Sequence, residues 1–190
     1  MFLDTLQKEQ MRQLYRACVN LASSERSKGR GPYKVDWVAD ILEWAASNLM
    51  PLDKEEFAKL PLDKVFSLPG FNEDVHAVAF SCRGMLENIK EAKRCRPEWI
   101  NLMVDGTYKL DYIKWTLISV GTTTLRWDPI SRDLCTQFRP FGYCFARVEC
   151  ESNITLLLDG LRTAAENCFD IALDDSWVKV GNSEKSVRIL

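Results

Sequence analysis

The hydrophobic period of this chain switches from strand to helix and back in its second half, and that pattern limits the architectures open to it. Trp99-Ile100-Asn101-Leu102-Met103-Val104 is a short apolar run that closes on Asp105-Gly106-Thr107-Tyr108. Its length and its ending predict a buried strand that delivers a carboxylate. Trp115-Thr116-Leu117-Ile118-Ser119-Val120 is rich in β-formers, and Phe141-Gly142-Tyr143-Cys144-Phe145-Ala146 is a third such segment. A polar connection holding Trp127-Asp128-Pro129 is expected between those two. With no helical period between them, the three strands predict an antiparallel meander. The period then switches: Ile154, Leu157, Leu158, Leu161, Ala165 and Cys168 recur at three and four residues, a helix of about four turns. Ser176-Trp177-Val178-Lys179-Val180-Gly181 predicts a fourth strand. The order β-β-β-α-β calls for an α+β fold in residues 99–190, although several mixed folds begin that way.

The first 98 residues predict a mainly helical region. Leu3, Leu6, Met11, Leu14, Cys18 and Leu21 line one side of an amphipathic helix over 1–22, and the glycine-rich, charged stretch 23–32 reads as a loop. A second helix follows, with Asp36 as its cap and Val38, Ile41, Leu42, Ala45 and Leu49 on one face; Pro51 ends it. Asp53 with Glu56 three residues on has the form of a cap opening a short helix to Leu60. Pro61, Pro69 and Gly70 punctuate turns, Val75 to Phe80 suits a strand, and Met85 to Arg94 suits a helix capped by Ser81.

Charge and cysteine usage exclude some functions. With 25 basic and 27 acidic residues the net charge is −2, so any nucleic-acid contact must come from a local patch. The 7 cysteines include no CxxC pair and His76 is the only histidine, so no zinc site of ordinary ligand type can be read. The odd count, with no secretory apolar stretch after Met1, places these thiols in a reducing compartment as small hydrophobes. No apolar run reaches bilayer-spanning length, and no membrane partner is expected.

Asp105 is the residue with the most chemistry in prospect. Nucleotidyl transfer by two metal ions needs carboxylates that hold divalent cations roughly 3.5–4 Å apart, and an aspartate leaving a buried central strand is held rigidly enough for that task. The competing reading of Asp105-Gly106 is a plain turn after a strand. His76, among apolar neighbours, reads as structural.

Ile100-Asn101-Leu102-Met103-Val104-Asp105-Gly106-Thr107-Tyr108-Lys109-Leu110 resembles the first catalytic block of Mutator-like element (MULE) transposases of the oomycete type. Phe138-Arg139-Pro140-Phe141-Gly142-Tyr143-Cys144-Phe145-Ala146-Arg147-Val148-Glu149 is similar to their third strand and following turn, and residues 68–98 to the segment before their core. The resemblance implies a ribonuclease-H-like (retroviral-integrase-like) core, here partial. It further implies a nuclear location, a DNA substrate, and three acids binding Mg2+ or Mn2+ for cleavage and strand transfer. Asp105 matches the first acid. The second is usually an aspartate after the fourth strand, and in Gly181-Asn182-Ser183-Glu184-Lys185-Ser186 its place is taken by Glu184, which keeps the charge but adds a methylene. No residue up to Leu190 matches the third, so the expectation is a transposon-derived protein that does not complete cleavage by itself. Asp174 and Asp175 read as turn or surface residues.

Two other functions fit the residues. Trp37, Trp44, Trp115 and Trp127 could anchor a protein partner or a homo-oligomer. Arg26, Lys28, Arg30 and Lys34, or Lys90, Lys93, Arg94 and Arg96, could bind DNA without chemistry.

Overall fold

The computed structural model describes residues 37–69, 77–98, 100–107, 116–173 and 178–180. The expected helix over 1–22, the loop 23–32, the cap Asp36, His76, Trp115, Asp174, Asp175 and Glu184 lie outside them. The elements are α1 (Trp37–Ser47), α2 (Lys54–Lys59), β1 (Val65–Ser67), β2 (Ala77–Cys82), α3 (Arg83–Cys95), β3 (Ile100–Thr107), β4 (Thr116–Asp128), β5 (Asp133–Ala146), α4 (Glu151–Phe169) and β6 (Val178–Val180). The fold is therefore mixed α+β. Its strands lie in the order β1-β2-β5-β4-β3-β6, antiparallel throughout except that β6 runs parallel to β3.

Strands β3, β4 and β5 form the expected meander. α4 covers the span given by its apolar period, and β6 falls within the segment expected to be a strand. Strands β1 and β2 come from the first 98 residues, yet β2 pairs with β5 from Ala77↔Ala146 to Phe80↔Tyr143. Phe57 and Phe66 from that region join Leu157 and Leu161 in a single core. The reason is packing: the ring of Phe57 meets Phe66 and Phe169 edge-on, at centroid distances of 6.1 and 5.7 Å.

All of α2, α3 and α4 contribute to the core on one face of the sheet. Ala77 and Ala79 of β2, Ile100 and Leu102 of β3, Ile118 and Val120 of β4, and Cys144 and Ala146 of β5 point into it. Leu157 and Leu161 of α4 reach the sheet where Gly142 stands, and a Cβ at that glycine would lie 3.2–3.3 Å from their methyls. Gly160 allows the same intimacy next to them on the buried face of α4, since a Cβ there would come within 2.9 Å of Leu68 Cβ. Each fully buried leucine of this kind contributes on the order of 2 kcal/mol.

Capping follows the local sequence in one place and departs from it in another. Asp53 Oδ1 accepts from the N–H groups of Glu55 and Glu56 at 2.9 Å, as its spacing predicts. Ser81, expected to cap α3, does not: Cys82 is the N-cap, without a side-chain bond. The Ser81 hydroxyl instead donates to the carbonyl of Phe141 at 2.7 Å. That carbonyl belongs to an irregularity in β5, where the register passes from Val120↔Gly142 to Gly121↔Pro140 and leaves Phe141 as an extra residue.

The polar connection expected around Trp127 is corrected by the structure. Pairing continues without a break from Thr122↔Arg139 to Asp128↔Asp133, and the loop is only Pro129 to Arg132. Asp128 shapes that loop: its carboxylate accepts from Ile130 N–H and from the Ser131 hydroxyl, both at 2.9 Å. Those bonds hold its pKa below the usual carboxylate value. Arg132 adopts the left-handed conformation (φ 54°) that returns the chain.

Burial also acts on the thiols. It pushes Cys82 up to about 11 and Cys144 up to about 12, from an ordinary 9.0. The unfolded chain then ionises these thiols first, so stability is whole below about pH 9 and falls as pH rises towards 11. At pH 8, iodoacetamide should label the exposed Cys95, Cys135 and Cys150 while sparing Cys82 and Cys144; fast labelling of Cys144 in the folded protein would contradict this packing. Helix propensity alone says that Gly160→Ala should stabilise α4 by about 1 kcal/mol. The Leu68 contact instead predicts a net loss of about 1–2 kcal/mol in urea unfolding, and an unchanged or raised midpoint would show the contact to be soft.

Candidate functional site

Asp105 sits on β3, an interior strand flanked by β4 and β6. Alternation along a strand assigns its side chain to a face. Ile100 and Leu102 are buried in the core, whereas Asn101, Met103 and Asp105 are exposed. The Asp105 carboxylate therefore stands on the sheet face opposite α4. Cross-strand neighbours on that face are Ser119 and, one strand further, Tyr143. The Ser119 hydroxyl donates to the Asp105 carbonyl oxygen at 3.1 Å, a clamp additional to the β3–β4 ladder. The Tyr143 ring stacks on Phe80 with centroids 5.8 Å apart, and burial pushes its hydroxyl up to about 12.

A second carboxylate approaches the same stretch of β3 from the other side. Glu149, in the short link between β5 and α4, lays its carboxylate over Gly106, so that a Cβ there would meet Oε2 at 2.5 Å. Residue-level reading did not single Glu149 out. The available signal was an acid next to a helix start, which is common wherever a helix dipole favours negative charge. Because Gly106 faces the core side and Asp105 the opposite side, the two acids flank the backbone rather than share a pocket.

Glu184, the other expected ligand, lies outside the described residues. The last described residue before it, Val180, pairs with Leu102, three residues ahead of Asp105 on the adjacent parallel strand. Among the described residues no three His, Cys, Asp or Glu side chains form a group that could hold a metal ion. As a donor the Asp105 carboxylate is of the oxygen type that hard divalent cations take, and it is open to solvent on a strand laddered to β4.

The remaining candidates are placed as follows. Trp44 is half-buried and Trp127 exposed. In the second basic cluster Arg94 is turned onto Glu91, donating through Nε at 2.9 Å and Nη2 at 2.6 Å, which draws the Glu91 carboxyl down to about 2. That fork engages two of the guanidinium's donors at an exposed position. The first basic cluster, Arg26 to Lys34, lies outside the described residues. No helix among the described residues is long and apolar enough to cross a membrane.

Because the Asp105 side chain is exposed, Asp105→Asn should leave the urea midpoint within about 0.5 kcal/mol of the parent. A larger loss would mean that the carboxylate has a structural partner and that its substitution cannot report on chemistry. Comparison of the chain with protein-family models, with characterised proteins and with solved structures gives no match.

Proposed function

We propose that residues 99–190 are the opening part of a ribonuclease-H-like nucleotidyl-transfer core of Mutator-like transposase descent, with Asp105 as first and Glu184 as second metal-binding acid. The observation that supports this reading best is the strand arrangement. Three antiparallel strands are followed by a helix and by a strand that returns parallel to the first of them, in the spatial order β5-β4-β3-β6. Parallel β3 and β6 send their C-terminal ends to the same edge of the sheet, which is where ligands of open sheets collect. Glu184 comes four positions after Val180, a reach of up to about 14 Å, against a rise of about 10 Å from Leu102 to Asp105. The second acid is thus within reach of the first.

In this reading the chain's own residues do two things. The β3–β4 ladder and the Ser119 hydroxyl hold the Asp105 backbone, and the uncrowded face keeps its carboxylate open to a DNA strand. Divalent ions, when bound, would polarise the attacking and leaving oxygens of the phosphodiester. β1 and β2 extend the sheet beyond β5 and cover an edge that the core alone would leave open. DNA is the substrate class and the nucleus the location that go with this descent.

This reading assigns two acids, Asp105 and Glu184, and a two-acid site should bind Mn2+ without nicking supercoiled plasmid. Saturable Mn2+ binding, followed by electron paramagnetic resonance, should weaken about tenfold in Asp105→Asn, about 1.4 kcal/mol. Binding indifferent to that substitution would remove the reading. Robust nicking abolished in Asp105→Ala would keep the site but overturn the expected inactivity.

A further inference from the structure

The outer half of the β4–β5 hairpin has no role in the chemistry above. β3 pairs with β4 only from Leu117 to Gly121, and β2 pairs with β5 only from Tyr143 to Ala146. Among the described residues no further strand pairs with the ladder from Thr122↔Arg139 to Asp128↔Asp133; its base is packed, with Thr122 buried, and from Leu125↔Thr136 outward it projects from the sheet as a two-stranded arm. A two-stranded ribbon in water is marginal unless one face is covered.

The arm is two-faced. Directly opposed residues share a side, which gathers Leu125, Trp127, Leu134 and Thr136 on one face. The charged Arg126, Asp128, Asp133 and Arg139 belong to the other. Leu125 is 69% exposed, Trp127 56% and Leu134 57%, and Ile130 at the tip is 88% exposed. Solvent thus meets three large apolar side chains of the stripe and a fourth beside it.

We propose that this arm is a self-association surface, and that two copies of the chain pack their apolar stripes face to face about a two-fold axis. Area and charge select this occupant. The four side chains leave roughly 350 Å2 of apolar surface per copy in water. Paired with itself, and with an apolar share of about 60%, the stripe makes an interface of roughly 1,100 Å2 in total. That is above the crystal-packing range and near the lower bound for a specific complex, which suits a reversible dimer. The stripe carries no charge, so a two-fold arrangement, which sets each patch against its own copy, meets no like-charge repulsion.

Sedimentation velocity of the full chain from about 5 to about 500 µM tests this, a range that brackets weak interfaces of such area. The parent should move from one to two chain masses as concentration rises. Trp127→Asp, and Leu134→Asp separately, should each weaken association at least tenfold while leaving the circular-dichroism melt at about 5 µM, where the parent is monomeric, close to the parent's, because both side chains are exposed. Leu52→Asp, at an exposed leucine away from the arm, should dimerise like the parent. A parent that stays monomeric throughout would overturn the proposal, whether another segment or a different partner covers the stripe. Equal association by the arm variants, or equal weakening by Leu52→Asp, would overturn it as well.

Discussion

Helix α4 can close the core only because two glycines let it come near. Gly142 leaves the floor of the sheet bare where Leu157 and Leu161 descend, and Gly160 brings the helix against Leu68 just after β1. A side chain at either position would hold the helix off and open space among Ile118, Cys144 and Leu157, which are fully buried. Packing interiors at crystal-like density makes such gaps costly. The covering of the sheet follows from this approach.

Strand β5 is the second organising element, since it pairs with β2 on one side and β4 on the other. Its extra residue at Phe141 lets one strand serve two environments. On the Gly142 side the strand is held between neighbours and covered by α4; on the Pro140 side it pairs with β4 alone, and Asn88 of α3 bonds the Pro140 carbonyl at its base. Ser81 pins the changeover by bonding the Phe141 carbonyl, and the Phe141 side chain is buried in the core. Bulges bend and twist a strand in this way, and here the bend separates a packed half from a projecting one.

The same alternation that buries Ile100 and Leu102 turns Asp105 outward. A strand cannot bury its even positions without presenting its odd ones on the opposite face. Asp105 is consequently held by a ladder that depends on the core while its carboxylate stays clear of it. Glu149 reaches the neighbouring position from the covered side, so the end of β3 carries acid on both faces without the two competing for one cavity.

Much of this was legible from local pattern. The apolar run to Val104, the three-and-four spacing of α4 and the Asp53 cap are each decided by neighbours in sequence, and the structure keeps them. Other features were not legible. Val65-Phe66-Ser67 is too short to show a period, and it is a strand because β2 lies beside it. Residues 122–139 mix threonine, arginine, glutamine and aspartate, which dilutes any apolar signal; they are strand because each finds its partner across the hairpin. Ser81 carries a capping side chain but is drawn to a carbonyl sixty residues away in sequence. Sequence by itself determined which segments are strand or helix wherever burial imposes a period, and it marked Asp105 as an acid at a strand's end. Only the tertiary structure decided which face Asp105 occupies, that the first half of the chain completes the same sheet, and that the hairpin stands clear of it. Those outcomes depend on pairing between residues far apart in the chain, which no local period encodes.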